Sequence, residues 1–309
     1  MTRSTAFLIN GGAGRIICSI PALERYEQEN PDDDFIVIVE YGLELFKGHP
    51  SLYKRCFDFG HKGLFQDKIK HMNIVFPEPY HVWEYYNQQA SIAQAFDIAI
   101  NNRGVRDMQH PTLKLSNEEL FGGLETVKQI SVDARYKKTV VFQPFGRGTT
   151  SSTANVGFDM FGKSFYIDDV VKIINKLQNK YTVILMAESM IEFEKMGYKN
   201  LKVAQLTNLS LRKWMGVINA SDYFLGCDSV GQHIAYALNK QGTIVLGGTF
   251  KENVTYPTYD GFTIIDIGEG KKMYSPLRAC YDEVADLNNE QIMRLTNEQI
   301  DAIVDSVTK

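Results

Sequence analysis

Three places in this 309-residue chain combine residue types suited to holding an anion. The first is Asn10-Gly11-Gly12-Ala13-Gly14-Arg15, between an apolar run (Ala6–Ile9) and a helical pattern. Glycines let the backbone turn sharply and approach a ligand. The helix N-terminus beyond them offers free N–H groups and the positive end of a dipole. Gly12, Gly14 and Arg15 are the candidates there. The second is Gly226-Cys227-Asp228-Ser229-Val230-Gly231-Gln232-His233, where a buried strand feeds a polar turn and then an apolar helix. Asp228 or Ser229 is placed to cap that helix. The N–H groups of Ser229, Val230 and Gly231 would then face the carboxyl end of a strand, where open α/β sheets bind ligands. The third is Gln143-Pro144-Phe145-Gly146 with Lys163 downstream, a lysine able to neutralise a departing phosphate.

Taken singly, each has a plain structural reading: a tight turn, an ordinary cap above a packed His233, a solvated lysine. As a dinucleotide fingerprint the first turn fails, because Ile17 holds the place of the third glycine. Glu40 nevertheless ends the second strand, where a ribose-binding acid would sit. A nicotinamide-dependent nucleotide-sugar epimerase or dehydrogenase therefore stays as a competitor.

The elements that must position these residues alternate. Thr5 to Asn10 reads as a strand, Ile16 to Gln28 as a helix and Phe35 to Glu40 as a buried strand. Such order implies a parallel sheet covered on both faces. Asn73 to Phe76 and Asp97 to Ile100 read as further strands. Ser116 to Ile130 reads as a helix whose Ser116 and Glu119 have capping-box spacing. After the polar stretch Ser131 to Lys138 the pattern restarts. Strands are expected at Thr139 to Gln143, Tyr181 to Met186, Tyr223 to Gly226 and Thr243 to Leu246. Helices are expected at Asp168 to Asn179, Leu211 to Asn219, Gln232 to Leu238 and Asn297 to Val307, with a Gly/Thr/Ser loop over Gly146 to Gly157. The expected division is residues 1–135 and 136–309, with the last helix (about 296–309) packing back on the first half.

Hydrophobic residues make up 44% and charged residues 23%, enough apolar material for two cores. The net charge of −4 argues against a generally basic nucleic-acid binder. Four scattered cysteines, Cys18, Cys56, Cys227 and Cys280, form no C-x-x-C pair and read as free thiols in a reducing cytoplasm. No apolar stretch reaches membrane-spanning length.

The order of these motifs resembles that of family 9 glycosyltransferases, the heptosyltransferase-like group. Gly14 to Leu23 (GRIICSIPAL) is similar to the family's glycine-acid turn and "T-x-P-A-L" helix. Phe142-Gln143-Pro144-Phe145-Gly146 is similar to its "h-x-P-G" strand end, and Lys163 to Tyr166 to its "K-x-W-P". Val183 to Glu188 resembles "V-V-L-x-G-x-x-E". Ala220 to Ala235 (ASDYFLGCDSVGQHIA) is similar to "A-D-L-x-V-G-x-D-S-G-P-M-H-L-A", and Thr249 matches the threonine of the following "F-G-P-T" turn. The likeness runs most clearly from Val140 to Thr249.

The resemblance implies an α/β protein of the GT-B fold, two Rossmann-like doubly wound domains facing a cleft. It implies an enzyme moving a sugar from a nucleotide-diphosphate donor to a hydroxyl, with inversion and with neither metal nor cofactor. The second half would hold the donor through Gly146, Lys163, Glu188, Asp228, Ser229, Val230, Gly231, His233 and Thr249. The first would hold the acceptor through Gly12, Gly14, Arg15, His81, Trp83 and Arg103. The acceptor would be a glycan or lipopolysaccharide or, for a phage-encoded relative, a hydroxylated DNA base, since aromatics and arginines can also stack bases. A monomer or weak oligomer in the cytoplasm is expected. One departure stands out: Arg15 occupies the place of the family's presumed general base, and a guanidinium cannot accept a proton. Arg15 is therefore expected to hold a phosphate, with Glu40 and Glu78 as the candidate bases and Lys163 attending the leaving group. A catalytically silent nucleotide-sugar binder is the alternative this substitution motivates.

Overall fold

The computed structural model describes residues 4–132, 138–146, 149–151, 157–159, 162–272 and 291–308. Its contacts divide the chain into two units, the first running to Leu115 and taking in Glu252–Thr258, the second holding Ser116–Lys251 and later residues that include the C-terminal helix.

In the first unit, β1 (Thr5–Ile9), β2 (Ile36–Val39), β3 (Cys56–Asp58) and β4 (Asn73–Val75) form a parallel sheet in the order β3-β2-β1-β4. β1 and β2 are nearly continuous Phe, Leu, Ile and Val because both of their faces are covered, as in doubly wound folds. The glycine turn opens α1 (Ala13–Glu29), whose first half from Arg15 to Leu23 is buried. A single turn, α2 (Trp83–Tyr86), precedes α3 (Ile92–Asn101). Asp97 to Ile100, expected as a strand, thus belongs to a helix. Ser91 and Gln94 start it with a reciprocal capping box, and its apolar face packs on α1. Asp97 is buried and paired with Arg25 and Arg106.

The second unit starts with α4 (Asn117–Val132), capped by Ser116 and Glu119 as the spacing predicts. A parallel six-stranded sheet follows, built from β5 (Thr139–Gln143), β8 (Thr182–Met186), β9 (Val203–Leu206), β10 (Tyr223–Cys227), β11 (Gly242–Leu246) and β12 (Phe262–Asp266) in the order β12-β11-β10-β5-β8-β9. An antiparallel pair, β6 (Thr149–Ser151) with β7 (Gly157–Asp159), occupies part of the expected glycine-rich loop. The further helices of the second unit are α5 (Ile167–Leu177), α6 (Leu211–Ala220), α7 (Val230–Ala237) and α9 (Asn297–Thr308), while the single turn α8 (Lys251–Val254) lies, but for Lys251, in the first unit. Phe142, Val170, Ile174, Leu185, Leu225 and Ile303 lie in the core of the second unit.

One boundary differs from expectation. α4 packs against α6, so residues 116–132 belong with the second unit and the division falls near Leu115, not near 135. α9 packs against α5 and β11 within the second unit, where Ile300, Ile303 and Val307 are buried. The middle of the expected linker, 133–137, and Cys280 lie outside the described residues, while Cys18, Cys56 and Cys227 are buried free thiols.

The α4–α6 crossing requires glycine. A Cβ at Gly123 would sit 2.2 Å from the Gly216 carbonyl oxygen, and one at Gly216 would sit 2.6 Å from that of Glu119. Beside it Arg212 grips Glu119 with two N–H groups, Nε reaching Oε1 at 2.7 Å. The Arg212 hydrogen bond, opposed by burial, holds the Glu119 carboxyl down at about 2, against an ordinary 4.5. A depressed carboxylate contributes stability that is complete above its unfolded value and is lost as pH falls through its folded one. Between pH 4.5 and 2 this pair should therefore forfeit roughly 1–2 kcal/mol, less than the full shift because water screens the carboxylate. Acid titration followed by circular dichroism is expected to show Glu119→Gln losing less stability over that window than the parent. Equal losses would remove the pair from the account.

Candidate functional site

In the second unit, β5 and β10 lie side by side and end together, Gln143 pairing with Gly226 in register. Past those carboxyl ends the chain brings together residues 65 or more positions apart. Lys163 Nζ meets Asp228 Oδ2 at 2.6 Å; the aspartate side chain is 5% exposed and the lysine 24%. Burial alone would raise the Asp228 carboxyl, but the Lys163 ammonium, through its charge and its hydrogen bond, holds it below its ordinary value. Thr249 adds to that effect, although its hydroxyl lies outside good hydrogen-bond geometry. Burial pushes the His233 imidazole down to about 4, more than Asp228 restores, so it is neutral at pH 7. The cluster thus combines a buried carboxylate, a neutral imidazole and a partly exposed ammonium.

The helix behind the cluster is held differently from the expected cap. The Ser229 side chain makes no cap hydrogen bond to α7. Instead Gln143, reaching across from β5, accepts from Gly231 N at 2.8 Å and donates to Ser229 Oγ at 3.2 Å. A Cβ at Gly231 would lie 2.2 Å from the glutamine oxygen, so this contact requires glycine. Gly231 N–H is therefore engaged, not presented to a ligand. The Ser229 and Val230 N–H groups have no partner among the described residues. Gly146 N donates to Ser164 Oγ at 2.8 Å, and Asp159 Oδ2 accepts from the N–H groups of Lys163 (3.2 Å) and Ser164 (2.7 Å). Asp159 thus fixes the backbone that carries Lys163. Lys272, its side chain 3% exposed, pairs with Asp266 at 2.7 Å and donates to the Thr249 carbonyl. Glu188 lies exposed just past β8, outside these contacts.

The first unit gathers the others at the end of β1. Arg15, 7% exposed, makes an ion pair with Glu78 in which both terminal nitrogens take part, at 3.2–3.3 Å. Its guanidinium lies over the rings of Tyr80 (5.0 Å) and Phe96 (5.5 Å). The guanidinium expected to meet a phosphate is thus paired with a carboxylate of its own unit. Glu78 also accepts from Tyr80 N at 3.1 Å, yet stays 21% exposed. Glu40 accepts from Gly11 N at 2.9 Å and so braces the turn that carries Gly12 and Gly14. In the aromatic-rich stretch from Tyr80 to Tyr86, Tyr80 and Tyr85 pack edge to face at 5.3 Å, while His81 and Trp83 are exposed. Arg103 is 63% exposed, 3.8 Å from Glu29 and away from this group. Among the described residues no cluster of His, Cys, Asp and Glu could hold a metal, and no helix is long and apolar enough to cross a membrane.

Sequence reasoning missed Gln143, Asp159, Ser164 and Lys272 as site residues. Gln143 stood in a quoted motif, and its signal was a polar amide at the end of an otherwise apolar strand. Ser164 likewise stood in the quoted Lys163 to Tyr166 motif, and Asp159 and Lys272 carried no local signal.

No protein-family model and no curated protein matches this chain. Solved structures do. The glycosyl transferase family 9 structure from Veillonella parvula is 11% identical, with a TM-score of 0.69 over 99% of this chain and 98% of that one. The E. coli ADP-heptose LPS heptosyltransferase II is 12% identical, with a TM-score of 0.62 over 98% of this chain and 100% of that one. The E. coli heptosyltransferase WaaC with ADP is 14% identical, with a TM-score of 0.52 over 85% of this chain and 93% of that one. The fold is therefore GT-B, with a four-stranded and a six-stranded parallel Rossmann-like unit. Within that class it is similar to family 9 glycosyltransferase structures over nearly its whole length.

Proposed function

We propose that this chain is a glycosyltransferase that moves a sugar from a nucleotide-diphosphate donor to a hydroxyl, in the manner of family 9. The observation that carries the reading is the buried Lys163–Asp228 pair at the carboxyl ends of β5 and β10, beside the open N–H groups of Ser229 and Val230. A diphosphate placed there would receive two backbone N–H groups, a helix N-terminus and an ammonium. Asp228 would not touch it, since two anions repel. Its part is to hold the Lys163 ammonium in one position, where that ammonium would meet the leaving phosphate. Gln143 and Gly231 keep α7 aimed, Thr249 and His233 close the cluster, and Glu188, at the exposed end of β8, would meet the nucleoside or sugar.

The acceptor hydroxyl, of a glycan or of a hydroxylated DNA base, belongs to the first unit in this reading, with His81 and Trp83 as exposed contacts. Glu78 is the carboxylate suited to take its proton: it has open surface, and Arg15 holds it in one orientation. Arg15 is then a positioning residue, and the acid absent from position 15 is supplied from position 78. Inversion, independence from metal and a cytoplasmic setting complete the reading.

Two outcomes test it. Asp228→Ala releases the lysine, which can turn to water, so the fold should lose only about 1–2 kcal/mol. Donor affinity should fall by about tenfold or more. Equal donor binding by the parent and Asp228→Ala would contradict the assignment. Release of nucleoside diphosphate from the donor should also persist in excess EDTA, because Lys163 and the helix N–H groups do the work of a metal. Loss of activity that magnesium or manganese restores would contradict this. A silent binder would retain the donor intact.

A further inference from the structure

The stretch from Phe59 to Phe76 belongs to the first unit and has no part in the sites above. Phe59, Phe65 and Phe76 are 61%, 57% and 68% exposed, and Ile74 is 46% exposed. Such a density of bare phenyl rings is unusual on a soluble surface. Phe59, Leu64, Phe65 and Ile69, with His61 and with Leu8 of β1, line a cavity of about 440 Å³. The parallel register pairs Ala6 with Ile74 and Phe7 with Val75. Continued by one residue it sets Phe76 beside Leu8, so Ile74 and Phe76 stand on the Leu8 side of the sheet. β4 is the edge of that sheet.

The same stretch is basic. Lys62, Lys68 and Lys70 are exposed, and Asp67 is its only acid, giving +2 in a chain whose net charge is −4. Asp67, itself exposed, sets its carboxylate beside the Gly63 turn. Apolar rings projecting among lysines form the composition that settles at the boundary between lipid headgroups and acyl chains.

We propose that residues 59–76 form a docking surface for an anionic lipid bilayer: Phe59, Phe65 and Phe76 enter the headgroup boundary, Lys62, Lys68 and Lys70 meet lipid phosphates, and the cavity receives acyl carbon. Two other occupants fit less well. A symmetric dimer through this face would bring like lysine clusters together. A nucleic acid would favour arginines and a continuous basic track, and this stretch contains no arginine. The proposal is independent of the transfer reading, because vesicle binding needs no donor.

Co-sedimentation of the full chain with phosphatidylcholine vesicles, with and without phosphatidylglycerol, tests it. The parent should pellet with the anionic vesicles and stay in solution with the neutral ones. Reversing three charges (Lys62→Glu, Lys68→Glu, Lys70→Glu) should weaken binding by about a hundredfold, given roughly fivefold per lysine near an anionic surface. Replacing the rings (Phe59→Ser, Phe65→Ser, Phe76→Ser) should weaken it by at least tenfold. All six side chains are exposed, so circular dichroism should match the parent. The proposal is overturned if the parent stays in solution with anionic vesicles, or if both variants pellet as the parent does. It is also overturned if the face proves to be a dimer contact, a parent dimer by light scattering becoming monomeric in the variants. Binding of single-stranded DNA in place of vesicles would overturn it too.

Discussion

Lys163→Ala is expected to lower donor affinity by roughly a hundredfold or more, since removing one partner of a buried charge contact costs about 2–5 kcal/mol. Two effects combine in that variant. The diphosphate loses its ammonium, and Asp228, 5% exposed, is left as an unpaired buried charge. The second effect lowers stability by itself, so the double variant Lys163→Ala, Asp228→Ala separates them. It removes both charges and should recover stability relative to the single variant, while donor binding stays lost. Thermal unfolding and calorimetric titration of the same samples read the two quantities independently. If the double variant regains donor binding along with stability, then Lys163 holds the fold and not the phosphate.

The second large effect is expected at Arg15. Arg15→Asp sets two carboxylates against each other where a buried ion pair stood, with Arg15 only 7% exposed. Breaking such a pair costs about 3–5 kcal/mol, which for a unit of this size lowers the unfolding midpoint by roughly 10 °C. Arg15→Lys should be milder but measurable, because an ammonium cannot reproduce the paired guanidinium contacts over the Tyr80 and Phe96 rings. Glu78→Gln completes the series. Its amide oxygen can still accept from Arg15, so the fold should persist with about 1 kcal/mol lost. Transfer should fall by about two to four orders of magnitude if that carboxylate takes the acceptor proton. An Arg15→Asp protein as stable as the parent would show that the pair does not hold the first unit together. A fully active Glu78→Gln would send the base elsewhere, with Glu40 next in line once its hold on the Gly11 turn is accounted for.

What could be read in advance divides along physical lines. β1, β2, β5, β8, β10 and β11 were legible because strands covered on both faces are written as short apolar runs. β9 and β12 were not, because they are the two edges of the larger sheet; Val203–Leu206 and Phe262–Asp266 are mostly half-buried and carry mixed sequence. Asp97 to Ile100 was misread because alternation within four residues does not separate a strand from one face of a helix. The capping box at Ser91 and Gln94 was the signal that would have decided it. The glycine turn and the Asp228 turn were found by type and order, yet their wiring was not. Arg15 and Glu78 lie 63 residues apart and Lys163 and Asp228 lie 65 apart, so no local pattern couples them. The same holds for Gln143, whose partner Gly231 is 88 residues away. Sequence spacing located the acids and bases; only the fold showed which charges neutralise one another, Arg15 with Glu78 and Lys163 with Asp228.

The most direct test of the central claim is mass spectrometry of nucleotide-sugar panels, ADP-heptose included, incubated with the parent and with Lys163→Ala. The account predicts that at least one donor is cleaved by the parent to its nucleoside diphosphate, and that the variant leaves the same donor whole. Donors recovered intact from the parent throughout, or equal cleavage by the variant, would contradict it.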